Sequence, residues 1–218
     1  MNIEILDETT EFPLQLIGKT AGVCWGSDTQ DKEKNIKRAK DCVASQHGRV
    51  LEWPEVHIVI SGVSARCMRE MGRHVIGVSY LQESTRYVDC AKFAYYNPPM
   101  NPEQKKVFDD TMNHIKEGYE KLLEIGVSKE DAANVLPLGM HTKVVWKGNV
   151  RMLENFMNQR LCSRAYKEIR TLANKLAKEL SSKNEEWKWI VDNLFIPKCK
   201  KLGYCPEKNG CGISKKKV

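Results

Sequence analysis

Between residues 66 and 86 the chain reads RCMREMGRHVIGVSYLQESTR, its densest run of side chains able to do chemistry. Arg66, Arg69 and Arg73 follow one another at spacings of three and four, which predicts three guanidiniums on one helical face. Like charges stacked this way repel unless an anion compensates them. The plain alternative is a solvated basic face. Gln82, Glu83, Ser84, Thr85 and Arg86 then supply amide, hydroxyl and guanidinium groups suited to a phosphate or a pyrimidine edge. Ser84 has no His or Lys that its sequence neighbourhood assigns as a base, so it reads as a binding hydroxyl rather than a nucleophile. The chain holds no GxGxxG and no Walker loop, so a nucleotide here is held by side chains rather than by a glycine-rich turn. A second cluster comprises Asn158, Arg160, Ser163, Arg164 and Arg170. On a continuous helix Arg160, Ser163 and Arg164 share a face, with Arg170 about three turns beyond Arg160. Exposed helix arginines are common, so this polar face is not by itself a site.

The elements that must position these residues read as follows. Residues 31–46 carry Ile36, Ala39 and Val43 at helical spacing among lysines, an amphipathic surface helix. Residues 57–60 form a short β-branched strand, Gly62, Val63 and Ser64 turn the chain, and residues 65–71 form a helix. Residues 75–87 lose any clean period and read as a loop. Asn101, Pro102 and Glu103 start a helix with Asn101 as N-cap, and Phe108, Met112, Ile115, Tyr119 and Leu122 continue it to Gly126. Ser128 with Asp131 opens a further short helix before Pro137. Residues 144–146 suggest a strand, and residues 150–180 one long helix or two. Helices flanking a few strands without regular alternation give an α+β class. We expect a single domain over 1–218, with a mixed or antiparallel sheet, long flanking helices and a Cys/Lys-rich extension from about residue 181.

The composition is globular, with 41% hydrophobic and 29% charged residues. No apolar run approaches the roughly 20 residues that span a bilayer. The opening MNIEILDETTEF is acidic and lacks the pattern of a secretory signal, so a cytoplasmic protein is expected. The net charge of +7 fits nucleic acid or anionic small molecules. No helix-turn-helix, RRM or zinc-finger pattern supports the first. Of the eight cysteines, Cys24, Cys42, Cys67, Cys90 and Cys162 stand singly and read as small buried hydrophobes. Cys199, Cys205 and Cys211 repeat every six residues with no His nearby, so reduced, metal-free thiols are expected.

The stretch GVSARCMREMGRHVIGVSYLQESTRYV resembles the signature of the flavin-dependent thymidylate synthases, an Arg-His-Arg triplet followed by a serine and an Arg-Tyr pair. VLPLGMHTKVVWKGNVRMLENFMNQRLCSRAYKEIR is similar to that family's later substrate-and-flavin segment, and the likeness spans most of residues 15–180. The cysteine-rich tail looks like that of phage-type members. The resemblance implies an α+β fold, and a homotetramer whose subunits share the active site. It places Arg73 and His74 in the first two positions of the triplet, against FAD and the nucleotide phosphate. Val75 takes the third position, so one flavin contact is lost, and the loop to Ser84 is one residue longer. Gln82, Glu83, Ser84 and Arg86 match the nucleotide loop, Glu70 stands where a Gln is usual, and Lys143 where an Arg is. His47, Gln82, Asn158, Arg160 and Ser163 match flavin-contact positions, and Arg170 the arginine that activates the pyrimidine.

The reaction so implied is the methylation of dUMP to dTMP, with 5,10-methylene-tetrahydrofolate as carbon donor, FAD as cofactor and NADPH as reductant. Methylating C5 of a uracil needs negative charge stabilised along the ring's N3–C4=O edge, which a permanently charged guanidinium provides. No membrane or nucleic-acid partner is implied. A related enzyme for another pyrimidine deoxynucleotide, or one transferring a hydroxymethyl group, is the neighbouring alternative. A basic nucleic-acid-binding protein is the alternative from another class.

Overall fold

The computed structural model describes residues 1–216. In chain order the elements are β1 (Asn2–Ile5), α1 (Pro13–Cys24), α2 (Lys32–Ala44), β2 (Glu55–Ser64), α3 (Ala65–Met71), β3 (Val78–Gln82), α4 (Pro102–Glu124), α5 (Lys129–Ala132), β4 (His141–Asn149), α6 (Val150–Arg160), α7 (Lys167–Ser181), α8 (Glu185–Leu194) and α9 (Lys198–Leu202). Short 3-10 turns occupy Gly48–Glu52 and Ala133–Val135. The strands pair in the order β1-β2-β4-β3, an antiparallel sheet, and the fold is α+β. The chain divides into two compact units, one of residues 1–2, 60–72 and 81–145, the other of residues 3–59, 73–80 and 146 onward.

In the first unit α4 supplies the organising surface. Asn101 accepts from the Gln104 N–H while the Gln104 side chain accepts from the Asn101 N–H, a reciprocal cap worth about 1 kcal/mol. Met112 and Tyr119 are buried with Cys90, Phe93, Ala132 and Met140, and Phe108, Ile115 and Leu122 pack against them. Ser128 caps α5 by accepting from the Asp131 N–H.

In the second unit α1 and α2 meet at Gly18, where an added Cβ would lie 1.8 Å from the Asn35 carbonyl oxygen, so a side chain there forces the helices apart. The buried Glu186 carboxylate accepts from the Leu14 and Gln15 N–H groups at 2.7 and 3.1 Å and so caps α1 from α8. Leu153, Phe156, Met157, Ile169, Leu172, Leu176, Trp187 and Ile190 fill this unit's core.

Several expectations change. The supposed loop 75–87 contains β3, because Val78 and Tyr80 are half-buried at period two while Ser79 and Leu81 face solvent. Residues 57–60 belong to the ten-residue β2, which runs through Gly62 at φ +68 instead of turning there. Residues 144–146 are likewise part of the longer β4. The buried stripe of α2 is Asn35, Ala39 and Cys42, with Ile36 and Val43 at its margins. Cys24 is exposed and Cys162 half-buried, so neither is a core residue; Cys42, Cys67 and Cys90 are.

Candidate functional site

The first unit carries the residues of the first cluster that flank the triplet. Ser64 caps α3 by accepting from the Cys67 N–H, and this short helix presents Arg66, Arg69 and Glu70. It ends at Met71, with Gly72 as C-cap, so Arg73 leaves the face that Arg66 and Arg69 share. The three-arginine face is therefore a two-arginine face.

β3 delivers Gln82 to the edge of β4. The Glu83 N–H donates to the Lys143 carbonyl at 2.9 Å, and the Lys143 N–H returns a bond to the Glu83 carboxylate at 2.8 Å. The Gln82 amide reaches the Thr142 hydroxyl at 3.5 Å. Beyond it the chain folds over Ser84, whose carbonyl accepts from Tyr87 and Val88 and whose hydroxyl accepts from the Arg86 N–H at 3.3 Å. Gln82, Glu83, Ser84, Thr85, His141 and Thr142 line a cavity of about 90 Å³ here. Sequence reasoning missed two features of this region. His141 stands in the same cavity as Ser84, and Arg86 pairs with Glu130 at 3.1 Å across an exposed gap. Both partners are distant in sequence, and neither carries a local signal.

The second unit collects the triplet and the second cluster. His74 is buried, and its Nε2 accepts a hydrogen bond from Arg160 Nε at 3.1 Å, which brings together residues 86 apart in sequence. The ring meets Phe156 edge-on at 5.1 Å, and the Tyr80 hydroxyl donates to the His74 carbonyl at 3.0 Å. Burial pushes the Tyr80 phenol above its usual range, with Trp146 drawing it part of the way back. Gly77, at φ +73, lets the chain pass Asn149, since an added Cβ would lie 2.5 Å from the Asn149 amide nitrogen. Asn149 in turn caps α6 by accepting from the Met152 N–H. Neither Gly77 nor Asn149 was singled out from sequence, because the constraint joins two distant segments.

This arrangement leaves a cavity of about 650 Å³ whose lining includes Glu52, Arg73, His74, Val75, Ile76 and Arg151. Val75 and Ile76 are 72% and 85% exposed, unusual for aliphatic side chains side by side. Arg151 is paired with Glu52. His47 is exposed at the start of the neighbouring 3-10 turn.

Of the one long helix or two expected over 150–180, the chain forms two. α6 stops at Arg160, so Ser163 and Arg164 lie in the connecting turn and Arg170 in the first turns of α7. Arg170 reaches back and donates through Nη1 to the Ser163 carbonyl, tying the turn to α7. The Asn158 amide donates to the Leu194 carbonyl at 3.0 Å, and so holds α6 to the end of α8. Arg160 and Asn158, but not Arg170, line a cavity of about 680 Å³ between α6 and the tail.

The profile of the family described as thymidylate synthase complementing protein matches residues 4–184. A flavin-dependent thymidylate synthase of Thermococcus onnurineus is 36% identical over 169 residues, covering 74% of this chain and 68% of the relative. One of Pyrococcus furiosus is 32% identical over 221 residues, covering 92% and 87%. In three dimensions the chain is similar to a Helicobacter pylori ThyX crystallised with FAD and dUMP, at a TM-score of 0.73 and 19% identity, over 89% of this chain and 99% of that one. The last likeness concerns the fold.

Proposed function

We propose that this chain, which belongs to the thymidylate synthase complementing protein family, converts dUMP to dTMP as a flavin-dependent thymidylate synthase. The carbon donor is 5,10-methylene-tetrahydrofolate and the reductant NADPH. The observation that carries the reading is the His74–Arg160 hydrogen bond, which joins the two sequence blocks in one unit.

The residues present fit a flavin dinucleotide. Such a molecule combines anionic phosphates with flat rings, and the 650 Å³ cavity sets the guanidiniums of Arg73 and Arg151 beside exposed Val75 and Ile76. In the second unit Arg73, His74, Val75, Asn158, Arg160 and Ser163 would hold it, with His47. FAD supplies the redox chemistry when bound. In the first unit Gln82, Glu83, Ser84, Arg86, Lys143 and Glu70 are the residues proposed to hold the nucleotide. For its phosphate to draw on Arg86, the exposed pair with Glu130 must open, at little cost since such pairs are worth about 0–1 kcal/mol.

Arg170 is the group proposed to polarise the pyrimidine. A second reading gives that role to Arg160, and one observation favours it: Arg160 lines a cavity, whereas Arg170 bonds the Ser163 carbonyl. The enzyme works as a cytoplasmic homotetramer. Among the described residues no helix is long and apolar enough to cross a membrane.

The test is mass analysis of products from dUMP and from dCMP with methylene-folate and reduced nicotinamide, on protein whose FAD absorbance is recorded first. We expect a flavin spectrum and dTMP. A hydroxymethylated product, or turnover of dCMP alone, overturns the substrate assignment. Colourless protein with no product and retention on nucleic acid overturns the enzyme.

A further inference from the structure

Four of the chain's eight cysteines lie around one cavity. Cys162, Cys199, Cys205 and Cys211 line the 680 Å³ cavity together with Arg160 and Arg164. Cys162 stands in the turn between α6 and α7; the other three belong to the tail that covers it. Among the described residues no three His, Cys, Asp or Glu side chains are arranged to hold a metal ion, so four thiols share a cavity without forming a ligand set.

Two ion pairs lay the tail on the body of its unit. Lys201 on α9 reaches Glu154 on α6, and Arg164 stands 3.8 Å from Glu207. Pairs as exposed as Arg164–Glu207 are worth little. Its end folds back where the Cys205 N–H donates to the Lys215 carbonyl at 2.7 Å. This fold carries Cys211 to the α6–α7 turn, against the Ser163 side chain next to Cys162. The Ser163 hydroxyl, then the Ile213 backbone and more weakly the Arg164 charge, hold the Cys211 thiol below its ordinary range, the setting in which a thiolate becomes nucleophilic.

We propose that this cavity is a thiol redox site: Cys211 attacks low-molecular-weight disulfides, and Cys162 resolves the product into a disulfide that staples the tail beside Arg160. In the first step the Cys211 thiolate attacks one sulfur of RSSR. The S–S bond breaks, and RS⁻ leaves and takes up a proton. In the second the Cys162 thiolate attacks the Cys211 sulfur and expels the other RS⁻, which is likewise protonated. Two protein thiols are oxidised and one RSSR is reduced to two RSH. The staple adds a covalent bond to the two ion pairs and holds the tail against the cavity that Arg160 and Asn158 line. Ligand entry there then depends on the thiol poise.

The experiment exposes the reduced full-length protein to glutathione disulfide, blocks remaining thiols with iodoacetamide at intervals, and maps unreduced peptides by mass spectrometry. The expected order is a glutathione adduct on Cys211, forming at least about tenfold faster than on the exposed Cys24, then a Cys162–Cys211 disulfide. Cys162→Ser should stop at the adduct. FAD uptake should fall in the stapled protein and return with dithiothreitol. Adduct formation at Cys24 as fast as at Cys211 overturns the proposal, as does a Cys205–Cys211 disulfide with Cys162 still alkylated. Zinc held stoichiometrically by the reduced protein and lost in Cys205→Ser overturns it too. The mapping on the unaltered chain needs no variant to fold. It also reads out whether or not the protein turns over dUMP, so its failure is distinct from failure of the synthase reading.

Discussion

Arg160 and His74 are joined nitrogen to nitrogen: the guanidinium Nε donates to the imidazole Nε2 at 3.1 Å. The accepting nitrogen carries no proton, so the ring bears its hydrogen on Nδ1. Phe156 on the ring edge and the Tyr80 bond to the His74 carbonyl fix its orientation, and with it the direction of the guanidinium. His74→Ala should release Arg160 and lower kcat roughly 100-fold, the scale of a small misplacement at a reacting centre. His74→Gln, whose amide oxygen can accept the same bond, should retain more activity than His74→Ala. Equal kcat in both variants and the parent would remove the positioning role.

Val75 leaves room for the guanidinium that the family's triplet carries. It is 72% exposed and lines the 650 Å³ cavity, so Val75→Arg meets no packed core. A new charge-assisted hydrogen bond is worth about 1.5–3 kcal/mol, so the FAD dissociation constant should fall about tenfold or more. Titration followed by flavin fluorescence measures it. An unchanged constant would assign the contact to Arg151, which lines the same cavity.

What could be read from sequence was local. Asn101, Pro102 and Glu103 announce the start of α4, and Ser128 with Asp131 that of α5, because a cap is decided within four residues. The position of the break between α6 and α7 was hidden, since residues 161–166, LCSRAY, contain neither Gly nor Pro. β3 was hidden by Leu81, an apolar residue on its exposed side. The site divides the same way. Residue type marked Arg73 and Ser84 and the family resemblance marked His74, whereas Gly77 beside Asn149, Glu130 beside Arg86 and His141 beside Ser84 exist only once the chain is folded.

Asp109 gives the fold a pH dependence with a definite sign. The Lys105 ammonium, and after it the Tyr95 hydroxyl, hold its carboxyl below the ordinary aspartate value. The unfolded chain therefore binds more protons in the acid interval, and the stability gained is present above the unfolded value and lost as pH falls through the folded one. The melting temperature of the parent should exceed that of Asp109→Asn at neutral pH, and the gap should close below about pH 4. A gap that persists in strong acid would mean that the substitution costs packing rather than charge.

Ser84 should bind rather than react. Its hydroxyl already accepts from the Arg86 N–H and helps shape the turn that faces the 90 Å³ cavity. Ser84→Ala should raise KM for dUMP about tenfold, the worth of one hydrogen bond to a charged group, and leave measurable turnover. His141 in the same cavity makes the opposite outcome informative. Complete loss of chemistry with dUMP affinity intact would make Ser84 a nucleophile and His141 its candidate base.

The last prediction separates two arginines. A group that polarises the pyrimidine must help more as negative charge develops than in the ground state, and removing such a donor typically costs about 100- to 1000-fold in turnover. If Arg170 fills that role, it must exchange its bond to the Ser163 carbonyl for the substrate. Arg170→Ala should then lower kcat by that factor with FAD content unchanged, and Arg170→Lys should restore only part, since an ammonium lacks the planar fork. If Arg160 does, the same loss appears in Arg160→Ala, while Arg170→Ala instead loosens the turn at Ser163 and lowers the melting temperature. Turnover within about threefold of the parent in Arg170→Ala, the range of an ordinary surface position, would transfer the role to Arg160. The same outcome in both variants would leave neither arginine with it.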